Sequence, residues 1–123
     1  MRRHNFKKLQ IWNLGMEIVS MVYNVTNKFP EEEKFGLKSQ MNRCAVSIPS
    51  NIAEGSSKSS SKHFINFLEV SLGSSFELET QVIICLNQKI ITETESKELE
   101  NKITVLQKMI SNFIESISKN LES

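Results

Sequence analysis

Apolar residues three and four positions apart recur in four successive segments, and this periodicity constrains the fold more than any other feature of the chain. In the first segment Ile11, Leu14, Ile18, Met21 and Val25 fall on one stripe of a helix. The second carries Leu37, Met41, Cys44, Ile48 and Ile52, and the third Phe64, Leu68, Ser71, Ser75, Leu78, Val82 and Cys85. The fourth runs through Leu99, Ile103, Leu106, Ile110, Phe113 and Ile117. No segment alternates apolar and polar residues as a half-buried strand does. Short connections favour antiparallel neighbours, so the pattern predicts an all-α fold, an up-down-up-down four-helix bundle. At 123 residues a single domain over 1–123 is expected, large enough to bury one core.

Local signals punctuate the four segments. Helix one is expected from about Phe6 to Lys28, closed by Pro30. Glu31, Glu32 and Glu33 suit the positive end of a following helix, and Gly36 leaves its start open by several residues. Gly55 reads as the stop of helix two. Ser60 or Ser61 caps helix three, and Thr92 with Glu95 has capping-box spacing for helix four. The small side chains of Ser71 and Ser75 leave room for another helix to approach. Inside helix two, Pro49 cannot donate to the carbonyl of Ala45, so a proline-kinked second helix is expected.

Two helices carry more apolar surface than a lone bundle uses. Projected at about 100° per residue, helix two places Val46, Pro49 and Ala53 beside its core stripe, and helix three repeats the excess with Ile65, Leu72, Phe76 and Ile83. Contiguous surface of this kind marks an interface, and self-association through these residues is expected; the competing reading is that loops or helix offsets cover them. On the other flank of helix two lie Gln40, Arg43, Ser47, Asn51 and Glu54. They read either as a structural network, in which Arg43 pairs with Glu54, Glu77 or Glu79 and the small polar groups satisfy backbone near the proline, or as a ligand-binding stripe. The structural reading is preferred.

Catalytic constellations are hard to assemble from this chain. It contains no aspartate, and His4 and His63 have no Cys or Glu at metal-ligand spacing. No Glu-x-x-His pair of the di-iron type occurs, and AEGSSKSSSKH lacks the order of a phosphate-binding P-loop. Neither a metal nor another cofactor is expected, and the chain reads as a non-enzyme. Cys44 and Cys85 lie among apolar positions and are expected to be buried and reduced. The N-terminal stretch MRRHNFKKLQIW has no apolar run of signal-peptide length and no segment approaches membrane-spanning length, so a cytoplasmic protein with no membrane contact is expected.

Charge is divided along the chain. Through His63 ten Lys and Arg face five Glu, a surplus of five, whereas after it five Lys face nine Glu, a deficit of four. Arg2, Arg3, Lys7, Lys8, Lys58 and Lys62 are the candidate nucleic-acid contacts, the last two beside serine hydroxyls and a helix start. Solvated surface charge is the competing reading. Aromatic residues do not interleave with these cations as in single-strand binders, so any contact would go to phosphate and shape.

The segments FKKLQIW, FPEEEKFGLKSQMNRCAVSIPSNIAEGSSK and FINFLEVSLGSSFELETQV together resemble the four-helix bundle family of proteins encoded in bacterial 23S rRNA intervening sequences. The resemblance runs from helix one through helix three, and SIPSNIAEG is its most specific part. It implies that the proline of helix two is a family trait. That family is similar in fold to the accessory variability determinant protein of diversity-generating retroelements, a barrel-shaped homopentamer with a basic surface that binds a reverse transcriptase. The resemblance therefore implies a homo-oligomer, a pentamer, with rRNA or other nucleic acid as partner, or else a scaffold for a partner protein such as a reverse transcriptase. This chain departs from the more basic relatives at Asn42, where a second arginine often stands beside Arg43.

Overall fold

The four apolar stripes form four helices, α1 (Gln10–Thr26), α2 (Leu37–Ser56), α3 (Ser61–Asn87) and α4 (Glu93–Glu122). The structure, a computed structural model, describes residues 4–122, with side chains through Asn120. Each helix packs on its neighbours in the chain, and α1 also packs on α4, which closes the arrangement around one core. No strand occurs among the described residues. The centre of the core is completely buried and draws on every helix: Ile18 and Val22, Met41 and Ile48, Phe64 and Leu78, Leu106 and Ile110. Burying a side chain of this kind contributes about 1.5–3 kcal/mol, so the stripes hold the bundle together.

Helix one is shorter than its periodicity suggests. Phe6–Lys8 forms a separate 3₁₀ turn, Leu9 is extended, and α1 begins at Gln10. Asn13 supports the break, because its Nδ2 donates to the carbonyl of Lys7 (3.1 Å), which a continuous helix would have paired with a backbone amide; the Leu9 carbonyl, its second acceptor (3.0 Å), already takes the Asn13 amide at 3.1 Å. Its stripe is also turned: Ile11, Gly15, Ile18 and Val22 are buried, while Leu14 and Met21 are half-buried. Glu31–Glu33 is likewise a separate 3₁₀ turn, ahead of a helix that starts after Gly36.

Close approach, not chain reversal, explains Gly55. Expected as a stop, it lies inside α2, one residue before the helix ends, and is buried. A Cβ there would stand 2.7 Å from Phe67 Cβ and 2.9 Å from Phe64 Cδ1. The glycine lets α3 press on α2. Farther along the same contact Ser71 donates to the carbonyl of Ile48 (2.9 Å) and Cys44 Sγ to that of Ser74 (3.1 Å). On the other flank of α2, Pro49 is buried, and a Cβ on Gly15 would meet its ring at 3.5 Å.

The expected caps form. Ser60 Oγ accepts from the amide of His63 (3.2 Å) at the start of α3. Thr92 and Glu95 make both bonds of the capping box: Thr92 Oγ1 accepts from the Glu95 amide (3.0 Å) and Glu95 Oε1 from the Thr92 amide (2.9 Å). Lys28 reaches the Glu95 carboxylate, and with the Thr92 amide this holds that carboxyl below its usual pKa.

The end of α3 uses a residue poorly suited to it. Ile90 N donates to the Cys85 carbonyl (2.9 Å) and Lys89 N to that of Leu86 (3.0 Å), the paired bonds of a Schellman motif. The motif puts Lys89 at φ 60°, where a side chain costs roughly 1–2 kcal/mol. Replacing Lys89 with glycine is expected to raise stability by about 1 kcal/mol, measured as a higher urea midpoint with an unchanged slope.

Candidate interface surfaces

The basic residues converge because the N-terminal segment is pinned to the bundle. The ring of His4 sits 5.2 Å from that of Phe64 at the start of α3 and 5.6 Å from that of Phe113 near the end of α4. Phe6 packs edge-on against Trp12 (5.3 Å). His4 is exposed, and its ring rests against those of Phe64 and Phe113. The turn carrying Lys7 and Lys8 therefore lies at the end of the bundle where Lys58 and Lys62 flank the α2–α3 loop. Lys58 Nζ lies over the ring of Phe67 at 5.1 Å, and Lys7, Lys8 and Lys62 are exposed. Glu54 is an exposed acid on the last turns of α2, while Glu115 pairs with Lys119 at 3.3 Å. Arg2 and Arg3 lie outside the described residues.

The apolar residues of α2 and α3 do not form one surface. Val46, Pro49 and Ser50 join Trp12, Met16 and Val19 of α1 around a shallow hollow on the α1–α2 seam, with half-buried Ala53 one turn beyond Pro49. Leu72, Gly73 and Phe76 join Ser111 and Ile114 of α4 around a second hollow, on the α3–α4 seam, which Glu69 also lines. Ile65 and Ile83 continue the α3 stripe, the first half-buried and the second exposed. Phe76 remains 52% exposed and Val46 38%. The contribution of α1 escaped the sequence reading although Trp12, Met16, Val19 and Tyr23 repeat at helical spacing beside its core stripe; the projection used for helices two and three would have found it.

Around Pro49 a small polar network forms without its expected cation. Ser47 Oγ donates to the Cys44 carbonyl (2.6 Å) and contacts Ser74 Oγ (2.7 Å), and Asn51 Nδ2 donates to the Ser47 carbonyl (2.7 Å). Arg43 forms no ion pair with Glu54, Glu77 or Glu79 among the described residues. It points outward from α2, and Gln40, Glu54 and Glu77 are exposed as well. Glu77 instead lies near Cys44, whose thiol is pushed up to about 12 by burial and then by that carboxylate. Burial followed by Glu33 pushes the Cys85 thiol up to about 11. Both cysteines are free and buried, so neither is a nucleophile at neutral pH.

Sequence reasoning missed a second cluster, on the α3–α4 seam. Glu79 accepts from Gln107 Nε2 at 2.9 Å, and Glu100 lies close enough to Glu79 to feel its charge. Glu100 Oε1 is buried without a hydrogen-bond partner. Burial, followed by Glu79, pushes the Glu100 carboxyl up to about 7. No group of three or more His, Cys or Glu is placed to hold a metal among the described residues, and no helix there is long and apolar enough to cross a membrane.

The architecture is shared. A solved protein of unknown function from Bacteroides thetaiotaomicron, described as a member of the S23 ribosomal protein family, is similar over 85% of this chain and 95% of its own, with a TM-score of 0.80 at 24% identity. No curated protein matches the chain. The sequence pattern of the 23S rRNA-intervening sequence protein family matches residues 7–112, from the basic turn before α1 into α4. The chain belongs to the 23S rRNA-intervening sequence protein family.

Proposed function

We propose that this protein is a non-catalytic, homo-oligomeric bundle that contacts RNA phosphates through its basic end. The observation that carries the reading is the pinning of His4 between Phe64 and Phe113, which sets Lys7 and Lys8 at the same end as Lys58 and Lys62. The family's link to 23S rRNA makes structured rRNA the first ligand to try. A ring, a pentamer by resemblance, multiplies a modest basic patch into a strong field. The reading includes a single up-down domain with α2 bent at Pro49. The up-down order is supported by the pairing of Ser71 with Ile48 and of Ser74 with Cys44, and by that of Lys28 with Glu95 and of Glu17 with Lys102, in which positions rise on one element as they fall on its neighbour.

Light-scattering mass after size exclusion, with and without rRNA fragments at two salt concentrations, tests the reading. An oligomer that gains mass with RNA and releases it as salt rises is expected. Changing Lys7, Lys8, Lys58 and Lys62 to glutamine should lower the salt slope by about 0.7–0.9 for each phosphate that is no longer neutralised. An unchanged slope rejects a role for these lysines at the phosphates. An oligomer indifferent to RNA shifts the function to scaffolding a partner protein.

A further inference from the structure

We infer that the basic end holds one unpaired nucleotide of the RNA, its base lodged in a hollow between the start of α1 and the later turns of α4 and its phosphate at Lys8. This rests on the RNA contact proposed above and names the part of the RNA that the site takes. Lys8, Leu9, Gln10 and Ile11 form one wall of the hollow, and Met109, Asn112 and Phe113 form the other. Its volume is about 440 Å³, inside the range of roughly 300–1,000 Å³ typical of small-molecule sites.

Charge and chemistry choose the occupant. This hollow has a cation on its walls and no carboxylate. Elsewhere on the surface Glu69 lines the α3–α4 hollow, Glu115 shares a polar hollow with Lys119, and Glu95 and Glu98 flank Lys28, while the α1–α2 hollow has no charged residue. A phosphate is therefore attracted here without a neighbouring acid to repel it. Beside the exposed Lys8 the surface turns apolar: Ile11 is buried, and Met109 and Phe113 are half-buried. A phosphate alone would leave that apolar wall wet, and a purely apolar ligand would leave the cation unused. A nucleotide satisfies both, with its base against the Phe113 ring and the polarizable Met109 sulfur. Gln10 and Asn112 are exposed on the walls, and each offers an amide donor and acceptor to the edge of a base, which an alkyl chain could not use. A base inside a duplex is stacked on both faces and paired along its edge, so the nucleotide that enters is an unpaired one. In the sequence no aromatic residue interleaves with the cations; folding supplies one from α4.

Two RNA hairpins test the inference, identical except that a single bulged nucleotide carries adenine in one and no base in the other. Their phosphates are the same, so a difference in affinity belongs to the base. The wild-type protein is expected to bind the adenine hairpin about tenfold more tightly, within the range that stacking one base on an aromatic side chain supplies, with the same salt slope for both. Phe113→Leu removes the ring, and Met109→Gln keeps the length of the side chain while making that wall polar. Each should bring the ratio of the two affinities close to one and leave the salt slope unchanged, with urea midpoints to confirm folding. Met109 is half-buried, so its isosteric variant should fold and decide the matter if Phe113→Leu does not fold. Lys8→Gln should weaken both hairpins by the same factor and lower both slopes by about 0.7–0.9; unchanged slopes would overturn the placing of the phosphate at Lys8. Equal binding of the two hairpins by the wild type would overturn the inference and leave the phosphate contacts standing. A tenfold ratio that survives Met109→Gln and Phe113→Leu would place the base elsewhere and overturn it too. Binding of neither hairpin would overturn the RNA reading and this inference together.

Discussion

Phe64→Ala is expected to lower stability by about 3–5 kcal/mol, the usual range for emptying a large core site. The ring is completely buried, packs edge-on against Phe113 at 5.7 Å, and covers Gly55 closely enough that a Cβ there would overlap it. It is also one of the two rings that hold His4. One substitution therefore removes core volume, loosens the α2–α3 packing and unpins the basic turn. Against a total of roughly 5–15 kcal/mol for a domain, such a loss would leave a sizeable unfolded fraction at moderate urea. Phe64→Leu keeps most of the volume and should cost less than about 1.5–2 kcal/mol. Urea titration of both variants at constant slope is the check; a loss below about 1 kcal/mol for alanine would mean that the surrounding helices collapse into the void.

Periodicity reads the interior well, because the same face of a helix must be apolar wherever a core lies behind it. Met41, Ile48, Leu68, Leu78, Ile103 and Ile110 are buried as their spacing requires. Caps were legible for an equally local reason: Ser60 and the Thr92–Glu95 pair act within one turn of themselves. Misreadings arose where a residue answers to a distant partner. Gly55 has the look of a stop, and only the approach of Phe67 and Phe64 gives it another purpose. Helix one breaks at Leu9 with Asn13 Nδ2 reaching back to the Lys7 carbonyl, a bond that apolar spacing does not register.

The surfaces were legible residue by residue and not as surfaces. Val46 and Phe76 stood out as surplus apolar positions, but which seam each joins depends on the neighbouring helix, and the two belong to different seams. Lys7 and Lys62 are far apart in the chain, and the rings that place them at one end include Phe113 of α4, which carries no charge to advertise its part. Arg43 illustrates the converse. Glutamates were available at suitable spacing, yet the orientation of α2 turns the guanidinium outward and leaves the pairing unmade within the chain.

Stability should fall as pH rises from about 4.5 to about 7, and the Glu79–Glu100 pair is the reason. Burial and the neighbouring carboxylate push the Glu100 carboxyl from 4.5 up to about 7, so the folded protein holds a proton that the unfolded chain has already released. A group whose folded pKa is raised above its unfolded value costs the folded state increasingly across that interval, and the cost levels off beyond the folded pKa. Glu95 acts in the opposite sense: its carboxyl is lowered by Lys28 and the Thr92 amide, so its contribution is lost only as pH falls below the ordinary carboxylate range. The two windows do not overlap. Glu100→Gln should therefore be more stable than the wild type at pH 8, by on the order of 1–2 kcal/mol once screening of a half-buried site is allowed for, and nearly equal to it at pH 4.5. The amide also supplies a donor for Glu79 in place of two carboxylates facing one another across α3 and α4. Urea midpoints of both proteins from pH 4.5 to 8 measure the effect; parallel curves across that range would place the titrating group elsewhere.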